Sequence, residues 1–347
     1  MTYFLTKLRF ILLALFLLLI FLASAWYYYQ GELKAPLNLS TSNVLIEIKQ
    51  GDSLNTVLAH LRGRKVLKTP WIAKLYAKEK QLANKLKVGE FSLRAGANMV
   101  ELFDLITSNQ QVSYSIRFIE GTTFRDMQKV LASQSKLKHL LGGLSEAEIL
   151  KRLNLDSRLS KLEGQFYPDT YTFLKNDTDI SILQRAHKRL KTILESEWAN
   201  KQKGLPLKTP YEALILASIV EKETGAAHER SEIAGVFLRR LNQRMRLQTD
   251  PTVIYGLGER YQGNITRKHL KEVTPYNTYR IKGLPPTPIA MVGRDAIHAA
   301  VNPKKGTSLY FVAKGDGTHQ FSDTIKAHNS AVRKFQLKRR TDYRSSQ

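Results

Sequence analysis

Apolar and polar positions divide the chain into segments of different period. Every residue from Phe10 to Ala23 is apolar, and the run continues through Ser24 and Ala25 into Trp26, Tyr27, Tyr28 and Tyr29. As a helix, Phe10 to Tyr29 reaches about one bilayer span. Lys7 and Arg9 ahead of the run predict a cytoplasmic amino terminus, and the aromatic cluster suits the far interface. Ala23-Ser24-Ala25 also resembles the cleavage site of a signal peptide. The bulky Trp26 and three tyrosines directly after it favour a retained anchor. Residues 1–30 are thus expected to form a cytoplasmic stub and one transmembrane helix, with the remainder exported.

Residues 31–43 are polar, punctuated by Pro36, and read as a linker. Beyond them the period alternates between two and that of a helix. Ile46, Ile48, Gly51, Ser53, Leu54, Val57 and Leu61 align at one constant offset with Ile116, Phe118, Gly121, Thr123, Phe124, Met127 and Leu131. Each copy predicts a short strand, a glycine turn, a Ser/Thr cap and an amphipathic helix. Two copies do not make a solenoid, so residues 44–134 are expected to hold paired βα units. Between the copies, 70–83 and 98–106 read as helices and 89–93 as a strand.

From 135 to 347 the expectation is a mixed domain. Helices are predicted over 145–153, 180–198 and 232–245. Residues 163–173 alternate aromatic with polar, a strand-and-loop signature. Loops rich in proline follow around Asp250, Tyr276 and Pro285, then a strand at 308–313, residues His319 to Asp323 and a terminal helix. The most informative segment is 211–225. Thr209 and Glu212 have capping-box spacing around Pro210, and Gly225 supplies a stop. At about 100° per residue, Glu221 falls among Leu214, Ala217 and Ser218, on an apolar face. Burial there raises a carboxyl pKa, as does the negative end of the helix dipole. Such a carboxyl is either a general acid or a rim residue bridged to Arg239 or Arg240. Glu223 lies on the other face and stands in reserve should the last turn be distorted.

Composition narrows the chemistry. Cysteine is absent, which excludes disulfides, thiol ligands and thiol nucleophiles. The eight histidines are scattered without ligand spacing, so no metal site is expected, and no cofactor. The net charge of +24 is spread over the exported part, a surface suited to polyanions. Outside the membrane this means anionic lipid or an anionic cell-wall polymer and not nucleic acid.

Ala217-Ser-Ile-Val-Glu221-Lys-Glu-Thr, Leu247-Gln-Thr-Asp250-Pro-Thr-Val-Ile-Tyr255-Gly, Pro275-Tyr-Asn-Thr-Tyr279, Gly283-Leu-Pro-Pro-Thr-Pro-Ile289 and Gly317-Thr-His319-Gln-Phe-Ser resemble, in this order, the membrane-anchored endolytic murein transglycosylases. Glu163-Gly-Gln-Phe-Tyr-Pro-Asp-Thr-Tyr171 is similar to the segment leading into that family's catalytic domain, and the repeat to its LysM-like modules. The resemblance spans Val44 to Phe335. It implies an α+β fold: a membrane helix, LysM-like βα modules and a mixed catalytic domain, in the inner membrane of a bacterium with the catalytic domain in the periplasm. It also implies cleavage of the β-1,4 bond between N-acetylmuramic acid and N-acetylglucosamine in nascent peptidoglycan strands. The muramyl C6 hydroxyl is then the nucleophile, leaving a 1,6-anhydro end, and one carboxyl can suffice where hydrolases need two. Partners implied are peptidoglycan glycan strands and the peptidoglycan synthases.

The resemblance puts Glu221 at the catalytic position. Substrate-binding candidates are Ser218, Asp250, Tyr276, Asn277 and His319, each of which has a structural reading beside it: a helix-packed serine, a turn acid, turn-holding residues and a satisfied histidine. Two alternatives remain for the whole chain. One is a non-catalytic peptidoglycan-binding scaffold; the other is a lysozyme-type hydrolase with Asp250 as the second carboxylate.

Overall fold

The computed structural model describes residues 2–39, 43–156, 159 and 161–337. The chain forms two compact units, Met1–Tyr114 and Ser115–Gln347.

Unit 1 begins with α1 (Thr2–Lys34), whose apolar stretch is exposed and which is long and apolar enough to cross a membrane. The helix runs through the first residues expected to be linker, and Tyr29 and Leu33 are buried in the unit's core. Residues 40–42 of that linker lie outside the described residues. Then come β1 (Asn43–Ile48), α2 (Leu54–Gly63), α3 (Pro70–Glu79), β2 (Gly89–Arg94) and α4 (Met99–Thr107). β1 and β2 pair antiparallel with Ile46 opposite Phe91, and the alternation of β1 sends Val44, Ile46 and Ile48 inward. Leu61, Ile72, Phe91 and Phe103 fill the interior.

β3 (Ser113–Arg117) crosses the boundary into unit 2. It is followed by α5 (Phe124–Ala132), α6 (Glu146–Arg152), β4 (Thr170–Leu174), which pairs with β3, and α7 (Asp179–Ala199). The order β-α-α-β-α therefore occurs twice. The repeat in sequence is its first half: Gly51 and Gly121 both turn with positive φ, and Ser53 and Thr123 both cap the following helix. The second copy begins unit 2, which starts at Ser115.

The rest of unit 2 comprises α8 (Pro210–Glu223), α9 (Arg230–Asn242), α10 (Asp250–Leu257), α11 (Arg267–Lys271), α12 (Arg294–Val301), the antiparallel hairpin β5 (Tyr310–Ala313) and β6 (His319–Ser322), and α13 (Ile325–Val332). α8 is the central element, packed against α7, α9, α10 and α12. Ala213 to Val220 are buried without interruption, because helices surround α8 on all sides. At about 1.5–3 kcal/mol for each buried Leu, Ile or Val, five such side chains contribute gross stabilisation well above the cost of one buried, hydrogen-bonded carboxyl.

Candidate active site

Glu221 sits in the last turn of α8, its side chain 5% exposed. The helix start is as the spacing predicts: Thr209 accepts the Glu212 amide and Pro210 opens the first turn. Glu212 reaches back to the Lys208 amide rather than that of Thr209, so the box is half formed. The stop is Thr224 in extended conformation, one residue before the expected glycine.

Two groups hold the Glu221 carboxyl. Oε2 accepts the Gly293 amide at 3.0 Å, and Oε1 faces Arg230 Nη2 at 3.4 Å. Gly293 is the N-cap of α12, so the carboxyl lies at the positive end of that helix. Arg230 opens α9 and also reaches Asp295 Oδ2 at 3.3 Å. Burial nevertheless pushes the Glu221 pKa up; the Gly293 amide and Arg230 oppose this, while the charges of Glu120 and Asp295 add to it. A carboxyl shifted toward its protonated form beside donors able to stabilise its anion can give a proton and take one back.

Glu120 arrives on the turn of the second repeat. Gly121 donates its amide to Met291 O, and Met291 donates to Thr122 O, both at 2.8 Å. This pairing brings Glu120 against Gly293, where a Cβ would lie 2.1 Å from Glu120 Oε1. Lys222 Nζ donates to Gly121 O at 3.1 Å, and Gly121 lies over the Glu221 side chain. The Tyr167 hydroxyl accepts the Arg294 amide and feels the Glu120 charge, with burial raising its pKa. Arg189 lies over the Tyr167 ring.

The other residues singled out in sequence have partners of their own. Ser218 is fully buried; its Oγ donates to Ile215 O and accepts the Ile289 amide, at 2.7 and 3.0 Å. It fastens the proline-rich loop to α8. Asn277, 1% exposed, donates to the His269, Leu270 and Glu272 carbonyls and accepts the Tyr279 amide, holding a loop. Tyr276 gives its hydroxyl to a bond with Thr287 and packs edge-on against Tyr255 at 4.9 Å. The buried His319 Nδ1 is 2.8 Å from Glu229 Oε2, and its amide donates to the same carboxylate. His319 thereby anchors the residue before Arg230. Asp250 is exposed at the start of α10 and accepts the Tyr279 hydroxyl at 2.7 Å.

Glu223 points away from Glu221, as its position on the helix requires. Thr249 donates to it, and burial first, then the Asp250 charge, push its pKa up to about 7. Asp250 therefore acts on Glu223, and the carboxylates that act on Glu221 are Glu120 and Asp295. A third buried acid, Glu163, accepts the Phe124 amide at 3.0 Å and the Tyr255 hydroxyl, and burial raises it to about 7. The conspicuous motifs thus brace one another: Glu163 with Tyr255, Tyr255 with Tyr276, Tyr276 with Thr287, Ser218 with Ile289. The groups around the acid itself, Gly293, Arg230, Glu120 and Asp295, lie outside those motifs, and sequence reasoning missed them. A signal existed for one of them: Ala296, Ile297, Ala300 and Val301 have helical spacing, which places a cap near Gly293. Among the described residues there is no cluster of His, Asp or Glu able to hold a metal ion.

The fold is mixed α and β, and it brings a buried carboxyl, raised toward its protonated form, to the meeting of two helix starts. The chain belongs to the YceG-like family, which it matches over residues 46–334. It is 29% identical over 330 residues to the endolytic murein transglycosylase of Bacillus subtilis (strain 168), covering 90% of this chain and 91% of that one. It is 27% identical over 345 residues to the endolytic murein transglycosylase of Streptococcus pneumoniae (strain D39), covering 89% of this chain but 62% of that longer protein. The crystal structure of a YceG-like protein from Listeria monocytogenes superposes with a TM-score of 0.52 at 31% identity, covering 84% of this chain and 99% of that one.

Proposed function

We propose that the chain is an endolytic peptidoglycan lytic transglycosylase and that Glu221 is its acid and base. The observation that carries this reading is the Glu221 carboxyl itself: buried, shifted toward its protonated form, and held by a helix-start amide and an arginine. The names of the relatives support it. As acid, Glu221 protonates the glycosidic oxygen as the bond from muramyl C1 breaks. The Gly293 amide and Arg230 stabilise the carboxylate that results. The C6 hydroxyl then bonds to C1, and Glu221 recovers its proton from that hydroxyl, so the cycle closes without water.

In this reading α1 is a single-pass anchor in the cytoplasmic membrane, amino terminus inside. The β-α-α-β-α unit of residues 43–107 is LysM-like and meets glycan, and peptidoglycan synthases supply the nascent strands. The anchor would keep cleavage close to synthesis, so the enzyme ends glycan elongation. Glu120 beside Glu221 favours one second reading, hydrolysis with Glu120 as base to a water. Incubating purified peptidoglycan with wild type and Glu221→Gln, and weighing the new ends by mass spectrometry, separates the readings. Ends lighter by one water, lost in the variant, are expected; a fall of about 100- to 10,000-fold is what removal of a general acid produces. New reducing ends would establish hydrolysis. Binding without cleavage would leave a scaffold.

A further inference from the structure

α1 does not stop where its apolar run ends. Its last turns enter unit 1, and α3 is tied to them at both ends. At the amino end of α3, its N-cap residue Thr69 donates its hydroxyl to Glu32 Oε2 at 2.8 Å. At the carboxyl end, Glu79 Oε2 accepts the Tyr29 hydroxyl, also at 2.8 Å. Tyr29 and Glu32 are one turn apart, about 4.5 Å along α1, whereas α3 is about 15 Å long. Both ties fall on the last turns of α1. With α1 upright in a bilayer, α3 therefore sits beside the level at which the chain leaves the membrane. Its level is just beyond the exposed aromatics Trp26, Tyr27 and Tyr28, which suit the interface.

The two faces of α3 differ sharply. Ile72, Ala73, Tyr76 and Ala77 are buried in the core of unit 1. Trp71, Lys74, Leu75 and Lys78 are exposed and fall within an arc of about 100° on the opposite side. Trp71 is 59% and Leu75 48% exposed. Tryptophan and leucine flanked by lysines suit the boundary of headgroups and acyl chains, with the ammonium groups on anionic phosphates. We propose that α3 lies on the bilayer that α1 enters, with Trp71 and Leu75 inserted at headgroup level and Lys74 and Lys78 against anionic lipid. This rests on the reading of α1 as an anchor. It makes unit 1 a collar seated on the membrane by two contacts instead of a module swinging on a tether.

The chain contains no cysteine, so Lys74→Cys can carry a nitroxide as the sole label on the whole protein in phosphatidylethanolamine–phosphatidylglycerol vesicles. A second preparation labelled at Phe16→Cys reports the hydrocarbon. The ratio of oxygen to water-soluble nickel-chelate accessibility at position 74 should be several-fold higher than in the same labelled chain carrying Trp71→Glu and Leu75→Glu. Both glutamates replace exposed side chains, so the fold is kept. A label at 74 equally accessible to the chelate with and without the glutamates, while 16 reads as hydrocarbon, would overturn the surface contact alone. An aqueous reading at 16 would overturn the anchor and the contact with it.

Discussion

Burial, then the charges of Glu120 on the repeat turn and Asp295 on α12, push the Glu221 pKa up, while the Gly293 amide and Arg230 on α9 pull it down. As the acid Glu221 must be protonated, so activity falls as pH rises through its pKa. Glu120→Gln removes one like charge, so the Glu221 pKa drops and the alkaline limb of the activity profile moves to lower pH. Gly293→Ala keeps both acids but fills the space where the Glu120 carboxyl lies, and its φ of −76° accepts alanine. It should move the limb in the same direction. An unmoved limb in both variants would show that Glu120 does not act on Glu221. Glu163 carries a separate expectation. Its pKa is about 7 folded against an ordinary 4.5, so the folded state holds its proton more tightly. Its stabilising contribution is full below about 4.5 and lost as pH rises through 7, about 3 kcal/mol in all. Denaturant unfolding across that range should show the loss in wild type and a flatter profile in Glu163→Gln; equal slopes would contradict the assignment.

At the scale of elements, the sequence made the long-period features legible. The two Gly-and-cap turns, α7, α8 and β5 lie within a few residues of expectation, because each carries its own periodic pattern or cap, whereas α1 extends past both ends of the expected span. The short α10, α11 and α12 read as loops. Asp250-Pro251 looks like a turn although proline in the first helical turn is favourable, and α12 is built largely from small residues whose apolar signal is weak. That loss hid half of the site, since Gly293 matters only as the cap of α12. Glu221 itself was legible because its helix is apolar all round. The motif residues Ser218 and Asn277 were not legible as braces, since nothing local tells a serine that holds a loop from one that holds a sugar. Ser218→Ala leaves the buried Ile289 amide without its acceptor and should cost about 1–3 kcal/mol in thermal or denaturant unfolding. No change in stability would mean the loop is held by other contacts. The end of α1 makes a parallel case. Soluble forms beginning at Trp26 keep Tyr29 in the core of unit 1, and those beginning at Gln30 lose it. The shorter form should be less stable by a few kcal/mol, about the cost of truncating a large buried side chain. Equal melting temperatures would show that Tyr29 adds little.

Over the whole molecule, an apolar helix, a small βα unit and a helix-centred unit with buried acids combine on a strongly basic chain. The basic surface suits an anionic polymer and an anionic leaflet alike, and its contribution to either should weaken as salt rises. What separates this enzyme from an ordinary glycosidase is the source of the nucleophile, and that is directly measurable. Peptidoglycan should be digested in water enriched in heavy oxygen, with Glu221→Gln as the blank, and the new muramyl ends weighed. Intramolecular attack by the C6 hydroxyl predicts anhydro ends that carry no heavy oxygen and are missing from the blank. Ends bearing one heavy oxygen at C1 would contradict the account and make water, activated beside Glu221, the acceptor.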